Sequence, residues 1–198
     1  MSTEALSPLE TEWRLPSPRK TGMILTIMTE SALFTIFVVA YVFYLGKSLN
    51  GPYPHEVLEF PWLGSFLLFG SSGTIYLAER GLKRDSRRDF NLCWGITIAM
   101  GFGFLLYTAT EWLHLINVDH LYISTNLFGS CFYSLVGLHA SHVVVGLFLL
   151  GVILIASLTG RIRDRHHEHI EIISWYWHFV DCVWLVVVIV VYIIGINT

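Results

Sequence analysis

The chain has 198 residues, 54% of them hydrophobic and 14% charged, with a mean hydropathy of +0.60 and a formal net charge of −3. Soluble domains carry about 25% charged residues, disordered chains pair low hydrophobicity with high net charge, and nucleic-acid binders show basic patches. The composition fits none of these three classes and gives no reason to expect nucleic acid as a partner.

Five apolar runs follow one another along the chain. Residues 23–45 hold one charge, Glu30. Residues 62–78, 90–110 and 127–159 hold none, counting His as neutral. Residues 172–196 hold one, Asp181. The other 25 of the 27 formal charges lie between or outside these runs. A helix needs about 20 apolar residues to cross a hydrocarbon core of about 30 Å. The expected spans are 21–46, 62–79, 90–113, 127–159 and 171–196, in a single membrane domain covering 1–198. The second run is short, and Arg80, Lys83 and Arg84 can snorkel at its end. The fourth would be about 50 Å long as a helix, so it must tilt or project into water. The fold class is therefore an all-α integral membrane protein with five transmembrane helices.

Orientation follows from Lys and Arg. If five spans alternate, 11 of the 12 basic residues fall on one side and Lys47 alone on the other. That bias predicts a cytoplasmic N-terminus and an external C-terminus. Arg80, Arg84 and Arg161 are then candidates for lipid-headgroup contacts. The first run is too long for the core of a signal peptide. Pro8, Pro16 and Pro18 suggest an extended N-terminal tail, and three Pro within 50–61 suit an irregular connection. The segment 165–170, reading RHHEHI, resembles a metal site in composition but reads as a loop facing anionic lipid.

Polar groups at membrane depth are costly and mark function by default. Glu30 lies nine residues into its helix, roughly 14 Å from the cytoplasmic end. A carboxyl there either keeps its proton or needs a partner for its charge, so Glu30 is the proton-associated candidate. No cation lies near it in the sequence. The remaining buried polar network is Glu111, His139, His142, His178 and Asp181. His139 and His142 are three apart and share a face, as do His178 and Asp181. The second pair reads as structural, with Asp181 accepting from the imidazole. The first reads as interhelical hydrogen bonding, or as haem or metal ligation. Within the five apolar runs themselves no Glu-x-x-His pair of the di-iron type occurs. Cys93, Cys131 and Cys182 form no closely spaced pair, so neither a zinc site nor a disulfide is expected. Small residues mark packing faces: Gly137, Ser141, Gly146 and Gly151 on the fourth helix, Ala99 and Gly103 on the third, and Ser71, Ser72 and Gly73 on the second. Trp175 and Trp177 are expected at headgroup level, and Trp184, deeper, against a packing partner.

The segment 175–184, reading WYWHFVDCVW, closely resembles the last-helix motif of cytochrome c oxidase subunit III. So does GSCFY at 129–133, followed by GLHASHV at 137–143 and Gly146. IMTESALF at 27–34 is similar to that family's Glu-bearing helix, and TATEW at 108–112 to the motif around its second carboxylate. The matches recur in order from about residue 21 to 195.

This resemblance implies an accessory subunit of an aa3-type haem-copper terminal oxidase in a bacterial cell membrane. Such a subunit has no cofactor of its own. The haems and copper belong to partner subunits, and bound phospholipid is expected. The main contact would be subunit I, with subunit II, other oxidase subunits, membrane phospholipids and a larger respiratory supercomplex as further partners. It would stabilise the catalytic subunit and support proton uptake during oxygen reduction. Glu30 matches the carboxylate that reacts with carbodiimides. Glu111, His139, His142, His178 and Asp181 match structural or lipid-associated positions. Long family members have seven spans, of which this chain matches the last five. Thr108 and Trp112 replace the Gln and Tyr expected around Glu111. Other readings are the same family serving a quinol oxidase or nitric oxide reductase, and, from another class, a proton-coupled transporter or a haem-binding membrane cytochrome.

Overall fold

The computed structural model describes residues 17–161 and 167–196. Within them the architecture is helical, with no strand. Helix α1 (Pro18–Tyr44) starts at Ser17, whose hydroxyl accepts from the Lys20 amide, with Pro18 in the first turn. Pro18 thus opens a helix, where its missing N–H costs nothing. Pro8 and Pro16 lie outside the described residues. A single turn, α2 (Pro54–Val57), interrupts the connection to α3 (Trp62–Lys83). Helix α4 (Arg87–Asn117) is capped by Ser86, and α5 (Leu127–Leu158) by Asn126, whose side chain accepts from Gly129 N at 2.7 Å. Helix α6 (His167–Val187) runs on into a π-helical stretch, Val188–Ile194. His167–Ile170 are therefore helical rather than a loop, while Arg165 and His166 lie outside the described residues.

Four of these helices are long and apolar enough to cross a membrane: α1, α4, α5, and α6 with its π continuation. Each of the five apolar runs falls on a helix. Helix α3 is less apolar because its middle is given to small polar residues, and these have structural uses. Thr74 meets Thr97 of α4 at 2.7 Å, while Ser65 and Ser71 accept from Trp184 and Trp177 of α6. The outer surface is apolar, with Trp62 76%, Phe66 71% and Phe148 69% exposed. Water would not tolerate so continuous an apolar surface, but lipid does.

The helix ends sort into two sets. Ser17 hydrogen-bonds Glu168, and Lys20 pairs with Glu171 at 2.8 Å, so α1 and α6 start together. Asn91 near the start of α4 meets Ser157 near the end of α5. At the opposite end, Asn126 donates to the carbonyls of Asn50 and Pro52 at 3.0 Å, and Phe128 N donates to Ser48. Consecutive long helices therefore alternate in direction. Among the described residues, Lys47 is the one Lys or Arg away from the first end. Arg14, Arg163 and Arg165 lie outside the described residues.

Helix α6 is the centre of the bundle. Half of its most apolar stretch, taken with the π continuation, is buried, against 6% for that of α1. The Trp177 indole is fully buried and sits over Gly101 of α4 and Gly146 of α5. A Cβ at either glycine would come within 2.8 Å of that ring. Its Nε1 donates to Ser71 Oγ of α3 at 2.9 Å. The expectation that Trp177 lies at headgroup level is thus corrected. Residues two apart on a helix point to nearly opposite sides. Only Trp175 faces the interface, with Lys20 Nζ 5.3 Å from its ring centre. Trp184 packs within the chain, 4.8 Å from Phe104 and 5.1 Å from His139 between ring centres. Gly146 is a contact glycine as expected, but Gly73 and Gly151 face open space, and Gly101 was not singled out by spacing.

Gly101→Ala and Gly146→Ala each force a methyl into the Trp177 ring. Overpacking of this kind costs about 1–3 kcal/mol. Both variants are expected to unfold earlier in thermal or denaturant titrations in detergent, whereas Gly151→Ala is expected to match the parent.

Candidate functional site at mid-bilayer depth

Glu30 projects from the middle of α1 towards α5, where His142 Nε2 lies 3.1 Å from its Oε2. Helix α1 itself offers the carboxylate nothing. The hydroxyls of Thr26, Thr29, Ser31 and Thr35 all donate to backbone carbonyls of their own helix, at 2.6–3.0 Å. His142 is held from its other side. Its Nδ1 donates to the Leu138 carbonyl, one turn back, at 2.8 Å. The Phe34 ring covers the imidazole at 4.9 Å, and the Tyr176 hydroxyl of α6 reaches the His142 carbonyl at 3.5 Å. So Glu30 does have a partner capable of carrying charge, 112 residues away in sequence.

His178 and Asp181 are joined, but through a third residue. Ser72 of α3 donates its hydroxyl proton to Asp181 Oδ2 and lies 2.9 Å from His178 Nδ1. With the serine proton committed to the carboxylate, Ser72 Oγ accepts from Nδ1–H. The expected direct contact is replaced by a bridge that ties α6 to α3. Asp181 is 4% exposed, and its Oδ1 has no partner among the described residues.

His139 does not join either group. It is fully buried, stacked on Trp184 and edge-on to Phe104, and neither ring nitrogen has a hydrogen-bond partner among the described residues. Three residues on a helix subtend about 300° at 3.6 residues per turn. The 60° left over is enough to turn His139 towards α4 and α6 while His142 faces α1. Glu111 is separate again, half-buried in a narrow crevice with Glu59, Tyr107 and Tyr192 at the end away from most of the cations. The five residues read from sequence as one polar network therefore fall in four places, with His178 and Asp181 sharing one through Ser72. Arg80, Arg84 and Arg161 are exposed at the end that carries most cations, Arg80 with its guanidinium 5.9 Å from the Tyr76 ring centre. Among the described residues, no group of three or more His, Cys, Asp or Glu is arranged to hold a metal ion.

Sequence reading did not find the two partners that complete the polar groups, His142 for Glu30 and Ser72 for the His178–Asp181 pair. Each lies on a helix far along the chain. The available hint for Ser72 was a run of small polar residues in an otherwise apolar helix.

An apolar outer surface, with polar groups bonded between helices at mid-span, defines a helical-bundle membrane protein. The sequence model of the family described as Cytochrome c oxidase subunit III matches residues 15–196. The chain is 35% identical to cytochrome c oxidase subunit 3 of Synechocystis, over 90% of this chain and 77% of that protein. It is 31% identical to that of Thermostichus vulcanus, over 90% and 89% of the two chains, and 33% identical to that of Sus scrofa, over 86% and 67%. The chain belongs to the cytochrome c oxidase subunit III family. As such it sits in a complex with other subunits of a respiratory oxidase.

Ser72→Ala removes the donor to Asp181 and the bridge to His178 together. Interhelical hydrogen bonds in membranes average about 0.6 kcal/mol, but a buried acceptor left without its donor costs about 1–3 kcal/mol. Because Asp181 is nearly inaccessible, a loss of about 1–2 kcal/mol is expected in detergent unfolding. Ser72→Thr keeps the hydroxyl and is expected to recover most of it.

Proposed function

We propose that the chain is subunit III of an aerobic aa3-type haem-copper terminal oxidase in a bacterial cell membrane. On this reading it crosses the membrane five times, with the N-terminus in the cytoplasm and the C-terminus outside. It has no redox centre, and the haems and copper lie in partner subunits. Subunit I is its main contact, with subunit II beside it. Its contribution is to hold the catalytic subunit in its working form and to support proton uptake during oxygen reduction. The observation that carries the second role is Glu30, a carboxyl placed at mid-bilayer against an imidazole and still partly open, with 30% of its side chain exposed. Protein carboxyls are kept at such depth for proton or ion handling. The match along nearly the whole chain supports the first role.

The cations at one end suit an anionic or zwitterionic headgroup layer, and Arg80, Arg84 and Arg161 are the proposed lipid contacts. His178, Asp181, His139 and Glu111 are assigned structural roles. Phospholipid is proposed as a bound component.

Glu30→Gln and Glu30→Ala in the assembled oxidase are expected to slow proton uptake, hasten inactivation during turnover and abolish carbodiimide labelling of this chain. Unchanged values for all of these would remove Glu30 from proton handling. For the topology, a cysteine at position 47 is expected to react with an impermeant thiol reagent added outside intact cells. One at position 84 is expected to react only after the membrane is opened.

A further inference from the structure

The hydrogen bonds around His142 fix how many protons the mid-bilayer pair holds. The Leu138 carbonyl can only accept, so the 2.8 Å contact puts a hydrogen on His142 Nδ1. Ser141 does not compete, because its hydroxyl also donates to the Leu138 carbonyl, at 2.6 Å. What remains is Nε2, facing Glu30 Oε2 at 3.1 Å. Removing every proton from that gap sets two lone pairs against each other and leaves a net negative charge in the bilayer. Adding a second proton leaves a net positive one. One proton leaves the pair neutral, as carboxyl with imidazole or as carboxylate with imidazolium, and avoids the cost of an uncompensated buried charge.

We propose that Glu30 and His142 hold one shared proton as a single unit, with His142 as the positioning residue that fixes its place. Nδ1 is a closed end, since its hydrogen is bound to a backbone carbonyl that cannot pass a proton on. Exchange with the surroundings therefore runs through the carboxyl of Glu30, the more open partner at 30% side-chain exposure against 13% for His142. The titratable neighbours are Tyr176 from α6, whose hydroxyl reaches the His142 carbonyl at 3.5 Å, and His139 from α5, buried against Phe104 and Trp184. No Lys or Arg lies in the middle of the helices packed here. The proposal deepens the proton-uptake reading and rests on it for its use: the pair passes a proton in and out at one mouth and does not accumulate several.

The test is histidine-¹⁵N spectroscopy of the full chain in phospholipid nanodiscs, comparing the parent with Glu30→Gln and using His142→Gln for assignment. If His142→Gln does not fold, the signal that moves in the isosteric Glu30→Gln variant identifies His142. The parent is expected to show Nδ1 protonated and Nε2 sharing one proton at about pH 8, where independent Glu and His side chains with reference values near 4.3 and 6.5 would share none. In Glu30→Gln, Nδ1 is expected to stay protonated and Nε2 to become a plain acceptor. A bare Nδ1 with hydrogen on Nε2, or an Nε2 in the parent that has lost its shared proton at about pH 8, would overturn the proposal. The proton count is read without turnover. A positive result with unchanged turnover in the Glu30 variants would therefore reject the uptake role and leave the shared proton standing.

Discussion

The burial of Trp177 organises the bundle. One indole ring fills a slot between two glycines on different helices, Gly101 and Gly146, and spends its N–H on Ser71 of a third. Lipid tails are as apolar as the side chains they would displace, so helices in a membrane gain little from hydrophobic burial against one another. Close packing and interhelical hydrogen bonds have to hold them. Trp177 supplies both at once, which is why α6 lies at the centre with α3, α4 and α5 around it. Trp184 repeats the arrangement further along the same helix, donating to Ser65 and stacking against Phe104 and His139.

Helix α1 is held differently. It is little buried and fastened at separated points. One end is tied by Ser17, Arg19 and Lys20 to Glu168 and Glu171 of α6. The middle is tied by Glu30 to His142, and the far end by the buried Tyr41 against Phe128. The charge that most needs a partner thus sits on the helix with the least packing. The Glu30–His142 contact gives that helix an interhelical bond and gives the carboxyl a partner.

The sequence reading and the structure diverge at particular residues. The chain order of Glu30, Asp181 and the basic loops was legible because charge is excluded from hydrocarbon, and exclusion leaves a pattern in one dimension. The packing glycines were only partly legible. Spacing selects small residues but does not say which of them faces a ring, so Gly146 was found with Gly151, and Gly101 was missed. Trp175 and Trp177 looked equivalent because both are aromatic and close to a helix end, yet a two-residue step turns them to opposite sides. His139 and His142 looked like one site, and a 60° difference in direction separated them into a core residue with no hydrogen-bond partner among the described residues and the partner of a carboxyl.

The sequence by itself determined that this chain is a helical membrane protein, where its apolar runs lie, and which carboxylates sit among them. Those properties follow from the cost of placing charge in hydrocarbon, a cost each residue meets wherever its helix is packed. Which groups meet across the bundle was decided only by the tertiary structure. His142 reaches Glu30 across 112 residues, and Ser72 reaches Asp181 across 109. Hydrogen bonds act over about 3 Å, so partners this far apart in the chain are defined only once the helices have chosen their neighbours and rotations.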